Sequence, residues 1–211
     1  MNTNALLKTV RTMTLMAAFG SLLFISACTH TRVVNLRYTP LIQVQRLADK
    51  ADPQIVVVGK FNDARPQTTL TQHRLNPINI HTYKYESKDD ITALVRNAFV
   101  DALLKSGFEV PMPSEQGTSP LLHVAGKIVT YHADTEIGWS TITVNAEVAV
   151  EVTIAPKTGS PITYMLRGQS TQEQKQFLNV EAAVPNLLDR ALQECVKKFL
   201  EDERFRGLIK S

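Results

Sequence analysis

The sequence predicts an α+β fold, a two-layer sandwich with a mainly antiparallel sheet and two helices packed on one of its faces. Three observations carry this. From Thr141 to Ile154 the chain alternates, with Ile142, Val144, Ala146, Val148, Val150, Val152 and Ile154 on one face; a strand with one buried and one wet face belongs to an antiparallel sheet. A turn-forming cluster, Pro156-Lys157-Thr158-Gly159-Ser160-Pro161, then leads into Ile162-Thr163-Tyr164-Met165-Leu166-Arg167-Gly168-Gln169, which pairs back as a hairpin. Apolar residues also recur every three or four positions in one stretch before these strands and one after them, the mark of helices with a single buried stripe.

In chain order, the first β signal is Ile55-Val56-Val57-Val58-Gly59-Lys60-Phe61, a run of the kind that fills a strand buried on both faces or nearly so. It stops at the turn cluster Asn62-Asp63-Ala64-Arg65-Pro66. Residues 67–77 are polar without period and read as a loop, and Ile78 to Tyr85 alternates as a second strand. Asp89 and Asp90 are placed to cap a helix, whose stripe is Ile91, Leu94, Val95, Ala98, Phe99, Ala102 and Leu103 and whose stop is Gly107. Phe108-Glu109-Val110-Pro111 returns as a short strand, and a loop rich in Pro, Ser and Gly follows. Leu121 to Asp134 is the next strand, with Leu122, Val124, Ile128 and Thr130 on one face and Lys127, Val129 and Tyr131 on the other. The alternating strand 141–154 spans about 48 Å at about 3.4 Å per residue, so a bulge or bend is expected within it. A second helix runs from about Val180 to Leu200; Asn179 can cap it, and Pro185 either sits in its first turn or kinks it.

Upstream, Lys8 and Arg11 precede an apolar, small-residue run from Met13 to Ala27, the charge-then-apolar grammar of a secretory signal. Its 15 residues, interrupted by Thr14, Gly20 and Ser21, fall short of the about 20 that a spanning helix needs. Ile25-Ser26-Ala27-Cys28 resembles the bacterial lipobox, in which the cysteine thiol receives a diacylglycerol, the chain is cut just before it, and the new amino group is acylated. The resemblance implies a lipoprotein signal peptide at 1–27, lipid attachment at Cys28 and, because Thr29 rather than aspartate follows, an outer-membrane anchor facing the periplasm. Several acyl chains hold stably where one is marginal, since each buried methylene contributes about 0.8 kcal/mol. Residues 28–52 then read as an extended, partly packed tether, and 53–211 as a single periplasmic domain.

The leader removes Lys8 and Arg11 from the 23 basic residues and nothing from the 20 acidic ones, leaving 21 against 20. So even a balance offers no basis for binding nucleic acid. With Cys28 lipidated, Cys195 has no disulfide partner, and its place on the stripe of Leu188, Leu192 and Phe199 predicts a buried, inert thiol.

The strand Val56 to Phe61 with its Asn62-Asp63-Ala64-Arg65 turn, the helix ending in Ser106-Gly107-Phe108, the long hairpin, the closing helix and Cys28 together resemble the YajG-like family of bacterial lipoproteins. That resemblance implies location and fold and no reaction. The residues point the same way. None of His30, His73, His81, His123 and His132 stands three or four positions from another, so no metal frame is expected; His123 and His132 fall on opposite faces of one predicted strand. Gly138-Trp139-Ser140, followed by Thr141-Ile142, makes no nucleophile elbow, and no phosphate-binding loop occurs. No catalysis and no cofactor are expected.

Asp63 and Arg65 at a strand end offer a surface ion pair or a contact with a partner, and Trp139 at a hairpin tip is a candidate anchor for one. The plainer readings are a turn in which Asp63 accepts backbone N–H bonds while Arg65 is solvated, and a tryptophan that shields a turn. The expected function is that of a lipid-anchored, non-enzymatic accessory protein that contacts an envelope protein. The alternative is a binding module for lipid or peptidoglycan fragments, which needs an apolar cavity between sheet and helices.

Overall fold

The computed structural model describes residues 30–49, 54–67, 69–74, 81–111, 120–137, 140–174 and 180–209. The leader, Cys28, Trp139 and Asn179 lie outside the described residues. The elements follow in the order β1 (His30–Val33), β2 (Val56–Asp63), β3 (Thr71–Arg74), β4 (His81–Glu86), α1 (Ile91–Lys105), β5 (Leu122–Ile137), β6 (Ile142–Pro156), β7 (Ile162–Gln174), α2 (Val180–Glu201) and α3 (Glu203–Leu208).

The fold is α+β, with the two long helices on one face of the sheet. Strands β5, β6 and β7 form an antiparallel meander, from Ile137↔Ile142 to Leu122↔Pro156 and from Ile142↔Gln174 to Ile154↔Ile162. The sheet as a whole is mixed, because β2 runs parallel to the first half of β5, from Val56↔Leu122 to Asp63↔Ile128. Farther along the same edge, β3 meets β5 at His73↔Thr135 and carries β4 and β1 outward.

Inward residues of the strands and the helix stripes close one core. Val144, Val148, Val150, Val152 and Ile154 of β6 are fully buried, as are Val95, Phe99 and Leu103 of α1 and Leu187, Leu188, Leu192 and Phe199 of α2. A run of phenylalanines stitches the layers: Phe61 to Phe99 at 5.0 Å, Phe99 to Phe199 at 5.0 Å, Phe199 to Phe205 at 4.5 Å and Phe205 to Phe108 at 5.9 Å between ring centroids. Tilted pairs at these distances add about 0.5–1.5 kcal/mol each beyond their area. The opposite face of the sheet is wet and pairs polar groups across strands, Asn145 with Thr171 at 2.8 Å, Arg167 with Glu147 at 3.0 Å and Thr153 with Thr163 at 2.9 Å.

Helix α1 starts where the sequence places it. Asp90 caps it, accepting from the backbone N–H groups of Thr92 and Ala93, and Gly107 leaves it at φ 93°. Arg96, on its polar side, donates to the carbonyls of Val58 and Gly59 at 3.0 and 3.2 Å, satisfying the edge of β2. Pro185 lies inside α2, which begins at Val180. Among the described residues no helix is long and apolar enough to cross a membrane.

Four expectations are corrected. Strand β2 buries one face only, Val56, Val58 and Phe61, since α1 packs on that face and the other meets solvent. The stretch 67–77 contains β3, whose Thr71–Arg74 pairing is set by β4 and not by any period of its own. The bulge falls in β5 rather than in the 141–154 strand: Ile128 opposes Val150 and Thr130 opposes Ala149, leaving Val129 extra. That extra residue turns Tyr131 and Ala133 inward and sets His132 on the same outward face as His123, opposite Glu147 and Ala155 respectively.

The segment expected to be a tether is partly built into the fold. Residues 34–49 cross both helices as a strap: Leu36 N donates to Asp89 Oδ2 at 2.6 Å, Thr39 N to Asp189 Oδ1 at 2.7 Å, and Leu47 N and Ala48 N to the Ser106 carbonyl at 2.8 and 3.1 Å. Val34, Leu36 and Ala48 are buried beneath it. Val34, Leu36 and Tyr38 thus form one packed side of an extended segment.

Candidate functional site

The edge of β5 changes partner halfway. Ala64 N donates to the Ile128 carbonyl at 2.9 Å where β2 ends, and Ala133 N donates to the Leu70 carbonyl at 2.7 Å where the next strand arrives. Between them, β5 carries its bulge, and residues 64–67 fill the gap. A bulge and a break in pairing at one place open a cavity of about 190 Å³, with Arg65, Pro66 and Gln67 on one wall and Val129, Thr130, Tyr131 and His132 on the other.

Asp63 and Arg65 meet in this gap. Asp63 Oδ1 accepts from Arg65 N at 3.1 Å and from Arg65 Nε at 2.9 Å, while Oδ2 accepts from Nη2 at 2.7 Å. Both readings of these two residues meet here, the backbone bond of the turn and the ion pair, which is two-pronged. Hydrogen bonding by Arg65 holds the Asp63 carboxyl below the usual carboxylate range, against a smaller upward push from burial. The expectation of a solvated Arg65 is overturned: its side chain is 6% exposed, against 34% for Asp63. Arg65 Nη1 and the Tyr131 hydroxyl are buried without a hydrogen-bond partner among the described residues. Burial, followed by the charge of Asp189, pushes the Tyr131 hydroxyl well above its ordinary value, so it stays protonated as a neutral donor.

His132 closes the outer side, with Nε2 2.9 Å from Asp134 Oδ1 and Nδ1 3.4 Å from the Thr69 carbonyl. The guanidinium is already neutralised, and among the described residues no three His, Cys, Asp or Glu side chains converge. His123 is about 30 Å from His132 along β5, nine residues at about 3.4 Å, so the two share nothing despite sharing a face. Tyr131 and His132 escape sequence reading because only the bulge brings them to Arg65.

A second hollow, of about 420 Å³, lies along the edge of β7 against the end of α2. Its rim charges are already matched, Arg204 to Asp202 at 2.7 Å, Lys198 to Glu194 at 2.8 Å and Arg167 to Glu147 at 3.0 Å, and Arg204 lies 3.7 Å from the Tyr164 ring centre. Cys195 is buried, and burial pushes its thiol up to about 12. Cys28 and Trp139, the other two positions singled out in the sequence, lie outside the described residues.

No family model matches the chain, and no curated protein does. Among solved structures, the chain is similar to protein XCC0632 from Xanthomonas campestris, of the DUF330 family, at 16% identity and a TM-score of 0.48, over 84% of this chain and 96% of that one. It is similar to lipoprotein GNA1162 from Neisseria meningitidis at 9% identity and a TM-score of 0.37, over 71% and 100%. A minor lipoprotein from Acinetobacter baumannii is alike at 9% identity and a TM-score of 0.39, over 70% and 91%. Similarities of this order fix neither a function nor a family for this chain.

Proposed function

We propose that this chain is a lipoprotein anchored by acyl chains on Cys28 to the periplasmic face of the outer membrane, where it serves as a non-enzymatic accessory protein of the YajG-like kind that docks onto an envelope protein. The observation that carries this is Ile25-Ser26-Ala27-Cys28 at the end of an apolar leader, with Thr29 after it. An apolar run of 15 residues is too short to span and ends at the one residue type that can be acylated through sulfur.

The docking surface is the cleft at Asp63 and Arg65. A buried guanidinium whose charge is matched but whose Nη1 has no partner among the described residues suits a neutral acceptor, such as a main-chain carbonyl of a partner's loop, better than a second anion. Binding of a lipid or peptidoglycan fragment between the layers has less support, because large side chains such as Leu187, Leu192 and Ile154 are fully buried there.

A photo-crosslinking residue at Gln67, on the cavity wall, tests the reading in intact cells, with the exposed Leu104 of α1 as control. The expected result is one envelope protein captured from position 67, not from 104, and lost when Arg65→Ala is added. Equal capture from both positions, or none from 67, would sink the docking site.

A further inference from the structure

We infer that the outer edge of β7 receives an extended segment of another protein as an added strand, which pairs with Thr163 and Met165 and lays an aromatic side chain against Arg204. This surface is separate from the cleft at Arg65 and does not depend on the anchor. Strand β7 ends the order of the sheet, and among the described residues no strand pairs with its outer side. The outer side of β2, by contrast, is closed. Val56 N donates to the Glu109 carbonyl at 2.9 Å, Glu109 N donates to that of Gln54 at 3.0 Å, and Arg96 covers the carbonyls of Val58 and Gly59.

Helix α2 closes β7 in the same way, but only in its middle. Glu194 Oε2 accepts from Gln169 N at 3.0 Å, and Lys198 Nζ donates to the Arg167 carbonyl at 2.9 Å. Both main-chain groups therefore point away from β6. The register of β6 on β7 is unbroken from Ile142↔Gln174 to Ile154↔Ile162, and in an antiparallel ladder every second residue aims its N–H and C=O the same way. Met165 and Thr163 thus turn theirs outward as well, where no described residue bonds them. A row of such groups is a template for a strand, and main-chain bonds of this kind are what hold an extended peptide on a sheet edge.

The side chains determine which strand fits. Met165 is 38% exposed, on the wet face with Thr163. On the helical side the edge borders the hollow of about 420 Å³ beside Arg204, and alternation along an added strand sends every second side chain that way. One face of the Arg204 guanidinium covers the Tyr164 ring, 3.7 Å away, and the side chain is 54% exposed, which leaves its other face to an aromatic ring. A charged side chain gains no unmatched partner there, since Asp202 holds Arg204, Glu194 holds Lys198 and Lys197 holds Glu201. A second copy of β7 cannot fill the hollow, because the residues it would turn that way, Tyr164 and Leu166, are buried in its own core.

The probe is an acetylated hexapeptide, Thr-Val-Thr-Phe-Thr-Val, added at millimolar concentration to the full chain in detergent micelles, with amide hydrogen exchange read residue by residue. Lying antiparallel on β7, it turns its threonine amides to the edge and its phenylalanine to the hollow. The expected result is exchange slowed about fivefold at Thr163 and Met165. Methylating the threonine amides of the peptide should abolish that effect, and methylating its valine and phenylalanine amides should leave it. Met165→Pro should abolish binding too, and an edge strand tolerates it because the lost N–H makes no ladder bond. Exchanging the peptide's phenylalanine for alanine should remove most of the slowing in the natural chain and make no further difference in Arg204→Gln. No slowing at Met165, or slowing indifferent to which amides are methylated, overturns the added strand. So does slow exchange at Met165 without peptide that grows with protein concentration, since a second copy would then hold the edge.

Discussion

Gly168 has no room for a side chain. A Cβ there would stand 1.9 Å from the Ala191 carbonyl oxygen and 2.5 Å from Cys195 N, so α2 lies directly on the backbone of β7. Gly168→Ala is expected to cost about 3 kcal/mol, the upper end of ordinary overpacking, because backbone rather than a side-chain tip must move; urea unfolding should show a lower midpoint with an unchanged slope. Four carboxyls sit below their usual range. In each case the first cause is a hydrogen bond from a neighbour: Arg65 for Asp63, Thr92 for Asp90, Lys198 for Glu194 and Arg204 for Asp202. Their folded values lie under the unfolded ones. The stability they add is therefore full above about pH 4–5 and lost as pH falls through the folded values. Asp63→Asn should accordingly lose less stability than the natural chain between about pH 5 and pH 3, read by denaturant titration at each pH. A glycine inside an apolar strand announces close backbone approach, yet nothing in the chain names Ala191 as its partner. Arg65 was legible as a turn residue, and its burial was not, because the wall that covers it comes from a bulge 64 positions away in sequence.

Elements were easier to read than the contacts between them. The stripe of α1, its Asp90 cap and the period of β6 are local, and a local pattern needs no partner to be seen. Loss of that cap is measurable: Asp90→Ala should lower the melting temperature, whereas Asp90→Asn, which keeps an acceptor, should retain most of it. The bulge was anticipated from the length of β6 and arose in β5 instead, since either partner can absorb a mismatch between two long twisted strands. Strand β3 has no period because four residues pinned between two neighbours need none. Packing of the helices on each other and on the sheet runs through Phe199, which touches Phe99 on one side and Phe205 on the other. Phe199→Ala should cost about 3–5 kcal/mol in chemical unfolding, as expected for a fully buried aromatic with little scope to collapse.

On the scale of the molecule, a wet sheet face, a packed helical face and a strap that shares the helical layer leave a cleft partway along the sheet. A helical layer with a strap across it could not be read from residues 34–49, where polar groups bond to Asp89, Asp189 and Ser106, all more than fifty positions away. Conversely, a leader and an acylated Cys28 are expectations that rest on sequence alone, because targeting machinery reads extended chain and not fold. Cys28→Ser is expected to move the protein from the membrane fraction to the soluble one, since among the described residues no helix is long and apolar enough to cross a membrane. The most direct measurement is the intact mass of the chain extracted from membranes with detergent. Acylation at Cys28 predicts a polypeptide that starts at Cys28 and is heavier than its sequence by one diacylglyceryl group and one N-linked acyl chain. Residues 1–27 still in place, or a free thiol at Cys28, would contradict it.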